Sequence, residues 1–307
     1  MRALLVTNPK ATATTPRVRD VIIGALSARA QVEVAHTDHR GHAIELGTRA
    51  ATHGYDLVIA LGGDGTVNEI VNGLLADGPR DGLPALAALP GGSANVFCRT
   101  LGLSNDLVDA TGQLLEALAS GSGRTIGLGR LEGRWFVFTA GVGFDAAVVH
   151  GVELRRGNGR KASPFMYAGT AIRDFYVGEH RHRTRMQVAL PGRPPVEDAF
   201  LAIVTNTTPW TYYKDTAVQL TPEASYETGL DLFALRKVGA ASVARLLWQV
   251  TRKKPHPHGR KVTIEHDLQE LVISSPDPLP VQVDGDFAGE LDRVRIQSVP
   301  HALRVIC

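Results

Sequence analysis

Short apolar runs alternate with helical periodicity through the first third of the chain. Leu4 to Val6 reads as a buried strand, and Pro16 stands at a first helical position ahead of Val18, Val21, Ile22, Ala25 and Leu26, whose spacing puts them on one face. Val32 to Ala35 predicts the next strand, and Ile44, Leu46 and Ala50 the next helix. Asp56 to Leu61 is a third apolar run ending in glycines, after which Val67, Ile70, Val71, Leu74 and Leu75 repeat the helical spacing. This β-α-β-α-β-α order implies a parallel sheet with helices on its faces and a ligand site at the carboxyl ends of the strands.

A further helix carries Leu107, Ala110, Leu114, Leu115 and Leu118 and closes at Ser120-Gly121-Ser122-Gly123. Beyond it, short strands with turn signals take over: Gly127 to Leu131, Trp135 to Thr139, Gln187 to Leu190, Phe200 to Thr205, Val262 to Ile264 and Leu271 to Ile273. One helix, with Val243, Leu246, Leu247 and Val250, interrupts them. The change of pattern puts a boundary near Arg124, and 307 residues at roughly 150 per domain agree with two domains. We expect an α/β domain over 1–124 and a mainly antiparallel β domain over 125–307.

Composition narrows the partners. Hydrophobic residues make up 44% and charged residues 21%, with a net charge of +2, which excludes a disordered chain and a nucleic-acid-binding tail. Basic patches must be local. Cys98 and Cys307 are far apart and form no CxxC pair, which fits a reducing cytosol. No apolar run reaches the ~18 residues of a membrane span, and none resembles a signal peptide, so a soluble protein is expected.

The chemistry concentrates in Leu61-Gly62-Gly63-Asp64-Gly65-Thr66-Val67-Asn68-Glu69, set between a buried strand and an amphipathic helix. Glycines let a backbone approach a polyanion closely, and the helix amides favour phosphate. No Walker lysine follows. Thr66 and Glu69 also match a capping box, the plainer reading of a strand-to-helix turn. A second glycine turn, Pro90-Gly91-Gly92-Ser93-Ala94-Asn95-Val96-Phe97, follows Ala85 to Leu89, with Ser93 a possible N-cap. Together with the Asn8-Pro9 turn after the first strand, these loops outline a nucleotide site.

On these residues, with Thr37, Gly41-His42-Ala43 and a late Val283-Asp284-Gly285-Asp286, the chain resembles the diacylglycerol kinase catalytic family, which includes sphingosine and ceramide kinases and bacterial lipid kinases. The resemblance implies an NAD kinase/diacylglycerol kinase-like fold. Its parallel-sheet α/β domain binds ATP. Its mainly antiparallel β-sandwich domain binds lipid and carries the general base, and the extreme C-terminus packs back on the first domain. It further implies ATP contacts at Asn8, Pro9, Lys10, Ala11, Thr12, Thr37, Gly62, Gly63, Asp64, Gly65, Thr66, Val67, Asn68, Glu69, Gly92 and Ser93, with Asp64 close to the phosphates and their Mg²⁺. The general base falls on Asp284 or Asp286, and an ordinary Asp-Gly hairpin remains the alternative.

Departures from the family pattern matter too. Val96, Gly127 and Thr228 stand where many bacterial members have Asp, in or connected to a structural Mg²⁺ site around Ser225, Thr228 and Leu230. That ion is therefore expected to be weak or absent, while ATP-bound Mg²⁺ remains required. Basic runs at Arg155 to Lys161, Arg181 to Arg185 and Arg252 to Lys261 suit either solvated loops or an anionic membrane surface. Pro164 to Tyr176 suits an acyl-chain cleft and ordinary core packing equally.

Three other patterns are set aside. Gly141-Val142-Gly143-Phe144-Asp145-Ala146 matches a dinucleotide fingerprint without its β-α-β context or later acid. His36, His39 and His42 cannot share one helix as metal ligands, and no GxSxG is present. The expectation is thus a cytoplasmic, peripherally membrane-associated, ATP-dependent lipid kinase, with diacylglycerol as acceptor and phosphatidic acid as product. No nucleic acid is involved, and a homodimer is compatible with the sequence. The alternatives are a kinase of another acceptor (a sphingoid base, phosphatidylglycerol or a polyol) and a non-catalytic nucleotide- and lipid-binding regulator.

Overall fold

The computed structural model describes residues 1–9, 16–156, 185–213, 215–236 and 239–307. The expectations placed on Lys10, Ala11 and Thr12, on Pro164 to Tyr176 and on the basic residues of 157–161 and 181–184 lie outside the described residues. Two compact units emerge, Met1–Leu128 with Pro300–Cys307, and Gly129–Val299.

In the first unit, strands β1 (Arg2–Thr7), β2 (Gln31–His36), β3 (Leu57–Gly62) and β4 (Ala85–Pro90) alternate with helices α1 (Pro16–Ser27), α2 (His42–Thr52) and α3 (Asp64–Leu74). The strands are parallel in the order β4-β3-β1-β2, with registers such as Leu5↔Ile59 and Ile59↔Ala87. Helices on both faces explain why β3 and β4 are buried at every position and read as unbroken apolar runs. The short α4 (Val96–Thr100) and then α5 (Leu107–Ser120) follow. Asp106 caps α5 by accepting from Val108 N and Asp109 N, and Gly121 ends it in the left-handed region. One face of the sheet packs Leu5, Ile59 and Leu89 against Leu26 of α1 and Leu114 of α5. On α2 and α3 the backbones touch. A Cβ on Gly47 would lie 2.6 Å from Ile70 O, and one on Gly73 2.1 Å from Ile44 O, so glycine is required at both crossing points.

Strand β5 (Arg124–Leu131) spans the division after Leu128 and leads, in the second unit, into β6 (Arg134–Phe136), β7 (Thr139–Gly143) and α6 (Phe144–Arg156). Then come β8 (Met186–Ala189), β9 (Val196–Thr205), the ribbon β10 (Thr211–Tyr213) with β11 (Thr216–Val218), β12 (Leu230–Arg236), α7 (Ala240–Thr251), β13 (Val262–Leu268), β14 (Glu270–Val283) and β15 (Asp286–Val305). Strands run antiparallel in the order β13-β12-β9-β7-β14-β15, and β8 also pairs with both β9 and β14. Because β12 and β15 occupy the other edges of β9 and β14, β7 and β8 share one lane end to end. Among the described residues these strands belong to one hydrogen-bonded sheet, from which β5 and β6 branch at β15, and β10–β11 form a separate small ribbon. The core of the second unit gathers Phe136, Val142, Val188, Val204, Leu232 and Val281. No helix among the described residues is long and apolar enough to cross a membrane.

Candidate functional site

The carboxyl ends of β4, β3, β1 and β2 form a row, and each delivers a segment singled out from the sequence: Gly91-Gly92, Gly62-Gly63, Thr7-Asn8-Pro9 and His36-Thr37. Backbone bonds stitch neighbours together. Gly91 N donates to Gly62 O (2.9 Å), Asn8 N to Leu61 O (3.2 Å) and Thr37 N to Thr7 O (2.9 Å). Thr7 Oγ1 meets His36 Nδ1 at 2.5 Å. Glycine is required where the two loops touch, since a Cβ on Gly91 would sit 2.8 Å from Gly62 Cα and one on Gly92 2.7 Å from Gly63 Cα. Loop-on-loop packing thus accounts for these glycines before an anion is considered.

The acids of the first loop cap helices other than their own. Asp64 opens α3, yet Val96 N donates to its Oδ2 (3.1 Å) and Phe97 N to its Oδ1 (3.0 Å), closing the N-terminus of α4. Burial raises the Asp64 carboxyl above the usual carboxylate range, while those two amides pull it down. With an amide on each oxygen, Asp64 ties one glycine loop to the other. Glu69 reaches α2, where Gly41 N donates to Oε1 (3.0 Å) and Ala43 N to Oε2 (3.2 Å). Gly41 is the N-cap there, with φ +89° and no side chain to offer. The expected Thr66–Glu69 capping box is corrected accordingly. The N-cap of α3 is Gly63, and Glu69 faces the neighbouring helix. Because α3 has no side-chain cap, its leading amides and dipole favour an anion at the centre of the row. Thr66 and Asn68 are buried within α3 with Val67.

Sequence reasoning gave Asn95 no role. It is the N-cap residue of α4 at φ +47°, a conformation Asn tolerates better than most residues. Gly92 N donates to Asn95 Oδ1 (2.8 Å), and Asn95 Nδ2 donates to Gly92 O (3.0 Å) and Asn105 Oδ1 (2.8 Å). Ser93, offered as that cap, lies two residues earlier and is exposed. Of the three histidines, His36 belongs to Thr7, whereas His39 and His42 stack at 4.9 Å and share Asp38.

In the second unit, Asp284 (φ +49°) and Gly285 (φ +83°) form the turn between β14 and β15. This left-handed pair is what tight two-residue hairpins require. The hairpin reading is therefore correct as geometry, and the carboxylate does more. Val137 N donates to Asp284 Oδ2 (2.7 Å), and Phe138 N and Thr139 N to Oδ1 (3.0 and 2.9 Å). Asn206 holds the same segment from the other side, through Nδ2 to Val137 O (3.1 Å) and N to Phe138 O (3.0 Å). Asp286 is part-exposed, with Arg134 Nη2 3.9 Å from its Oδ2.

A further acid joins this turn. Gln282 Oε1 accepts Gly285 N (2.9 Å), and its Nε2 donates to Asp145 Oδ2 (2.8 Å). Gly141 makes room, since a Cβ there would lie 2.1 Å from that oxygen. Burial pushes the Asp145 carboxyl up to about 6, with the Gln282 bond opposing. The segment dismissed as a false dinucleotide motif does run from strand to helix, but β7 is antiparallel to both its neighbours. Its glycine serves the Asp145–Gln282 contact.

In the segment considered for a structural ion, polar side chains bond groups of the same segment. Thr228 Oγ1 donates to Ser225 O (3.1 Å) and lies 3.3 Å from Gly229 O, and Ser225 Oγ bonds Glu227. Nearby Asp231 accepts from His266 and Asp267 N on Oδ1 and keeps only a buried Oδ2 without a hydrogen bond.

Residues 2–131 match the diacylglycerol kinase catalytic domain family. The chain is 26% identical over 259 residues to a diacylglycerol kinase of Bacillus subtilis (strain 168), covering 82% of this chain and 78% of that relative. It is 26% identical over 273 residues to one of Staphylococcus aureus (strain bovine RF122 / ET3-1), covering 89% and 81%. The fold matches a diacylglycerol kinase structure from Bacillus anthracis str. Sterne with a TM-score of 0.73, at 20% identity over 99% of this chain and 96% of that one. It also matches an NAD kinase from Archaeoglobus fulgidus in complex with ATP, with a TM-score of 0.54 at 13% identity over 100% and 94%. Residues 2–131, which carry both glycine loops, are thus similar to the diacylglycerol kinase catalytic domain, and similarity to diacylglycerol kinases extends over most of the chain.

Proposed function

We propose that the chain is an ATP-dependent lipid kinase that transfers the γ-phosphoryl group of ATP to the free hydroxyl of diacylglycerol, giving phosphatidic acid and ADP. The observation that carries this reading is the row of strand ends with two interlocked glycine loops and an uncapped α3, in a segment that matches the diacylglycerol kinase catalytic domain. The first unit takes MgATP as substrate. The glycine backbones and the N-terminus of α3 lie against its phosphates, with Asn8, Pro9 and Thr37 farther along the row. Asp64, Glu69 and Asn95 fix these loops before nucleotide arrives, so their dipoles need not reorganise during transfer.

The second unit supplies the base from the Asp284-Gly285-Asp286 turn. As the acceptor oxygen bonds to the γ-phosphorus, the bond from phosphorus to the ADP oxygen breaks, and the hydroxyl proton passes to a carboxylate of that turn. Phosphoryl transfer runs through a loose transition state, so positioning contributes more than covalent chemistry. Labelled ATP incubated with a mixed lipid extract, then with diacylglycerol alone, tests the reading. Labelled phosphatidic acid supports it, label in a sphingoid base, phosphatidylglycerol or polyol moves the acceptor, and no labelled product from folded protein refutes it.

A further inference from the structure

We infer that helix α7 and the basic turn after it form a docking surface for an anionic lipid bilayer. This rests on the lipid-kinase reading for its purpose but not for its geometry. Between residues 232 and 264 the chain has eight Lys and Arg and no Asp or Glu, although the whole chain carries only +2. Six of the eight, Arg245, Arg252, Lys253, Lys254, Arg260 and Lys261, are exposed.

The helix between them is apolar on two faces. One is satisfied, because Leu246 and Val250 pack on Ile203, Phe233 and Leu235. The other is not. Leu247 is 58% exposed and Trp248 61% exposed, the one sequence-adjacent pair among the exposed large hydrophobics of the described residues.

The basic turn is fixed beside this face. His258 N donates to Gln249 Oε1 (3.2 Å) from across the turn, Arg245 Nη2 lies 2.9 Å from His258 Nε2, and the Arg252 guanidinium stands 4.8 Å from the Trp248 ring centroid. A Trp flanked by fixed cations suits the headgroup level of a bilayer, where an indole ring rests half in hydrocarbon and Lys and Arg meet lipid phosphates. Nucleic acid would meet the same charge, but an exposed leucine beside the tryptophan gains nothing there. The bilayer is therefore the occupant.

Sedimentation of the full chain with phosphatidylserine/phosphatidylcholine vesicles, against phosphatidylcholine alone and without ATP, tests this. Binding is expected to the anionic vesicles only and to weaken with salt, and brominated acyl chains should quench Trp248 fluorescence. Trp248→Ala should bind about tenfold more weakly, the equivalent of losing roughly 55 Å² of apolar burial. Replacing Arg252, Lys253 and Lys254 by Gln should cost about fivefold per charge. Wild-type binding by both variants overturns the proposal, as does single-stranded RNA quenching Trp248 when vesicles do not. Phosphorylation of a soluble short-chain diacylglycerol, assayed separately, should be unchanged in Trp248→Ala. A chain that binds vesicles yet phosphorylates no lipid refutes the kinase reading and leaves the docking surface standing.

Discussion

Replacing Asp64 by Asn keeps the side chain's shape and removes its charge, which separates a loop tie from a ligand of phosphate or metal. In the wild type each carboxylate oxygen accepts one amide of α4, from Val96 and Phe97. Asn offers one acceptor oxygen and turns an NH₂ group toward the other amide, so one charge-assisted bond becomes neutral and one buried donor loses its partner. At about 1.5–3 kcal/mol for a bond to a charged group and about 1–3 for an orphaned donor, the bonds lost amount to about 2–4 kcal/mol, and relief of the buried charge offsets part of this, so we expect a net loss of about 1–2 kcal/mol. At about 3 °C per kcal/mol, the midpoint of unfolding falls by about 3–6 °C. Calorimetry without nucleotide or magnesium is the appropriate assay, because a tie between loops matters in the empty protein. An Asp64→Asn variant that melts with the wild type but no longer turns over ATP would refute this reasoning and make the carboxylate a direct participant.

Glu69→Gln should cost about 1–2 kcal/mol by weakening the cap on α2, seen as a lower denaturant midpoint at unchanged m-value. Gly92→Ala drives a Cβ to 2.7 Å from Gly63 Cα; parted loops should lower ATP affinity at least about tenfold by calorimetric titration. Asp145 has a folded-state pKa of about 6, above its unfolded value of roughly 4. Its contribution is therefore complete below pH about 4 and is lost as pH rises through about 6, a cost of up to about 3 kcal/mol. Asp145→Asn should consequently be the more stable protein at pH 7.5 and should converge on wild type near pH 4 in melting curves. Asp284→Asn should lower the melting midpoint by loosening 137–139, and Asp286→Asn should not. If Asp286→Asn also keeps full turnover, the proton goes to Asp284.

The first three β-α units are legible because a strand covered on both faces reads as one apolar run and a surface helix carries one stripe. Where those conditions fail, so does the reading. Helix α6 starts directly after a Gly-Val-Gly strand end and is missed. Strand β14 carries Pro276, Pro278 and Pro280, which look like breakers, yet the strand absorbs them with a register shift between Ser274 and Leu279. In the site, the glycine loops are legible because each follows a strand. The work of their acids is not, since Asp64 and Glu69 accept amides 26 to 33 residues away, whereas a capping box spans three. The Asp145–Gln282 contact is hidden for the same reason, because topology and not spacing makes the two residues neighbours, whereas Asn95 bonds Gly92 only three residues before it.

The last strand also sets an order of events. Val305 pairs in parallel with Leu86, and Ile306 N donates to Leu86 O at 2.9 Å, so the outer edge of β4 is closed by residues made long after it. At about 5–20 residues per second, making the intervening 200 or so residues takes on the order of 10–40 s. Throughout that interval the edge stands open as a template for other strands. A chain cut before residue 300 has a nucleotide unit with that edge unpaired, so the ATP side is completed only once the second unit, Gly129–Val299, has been made.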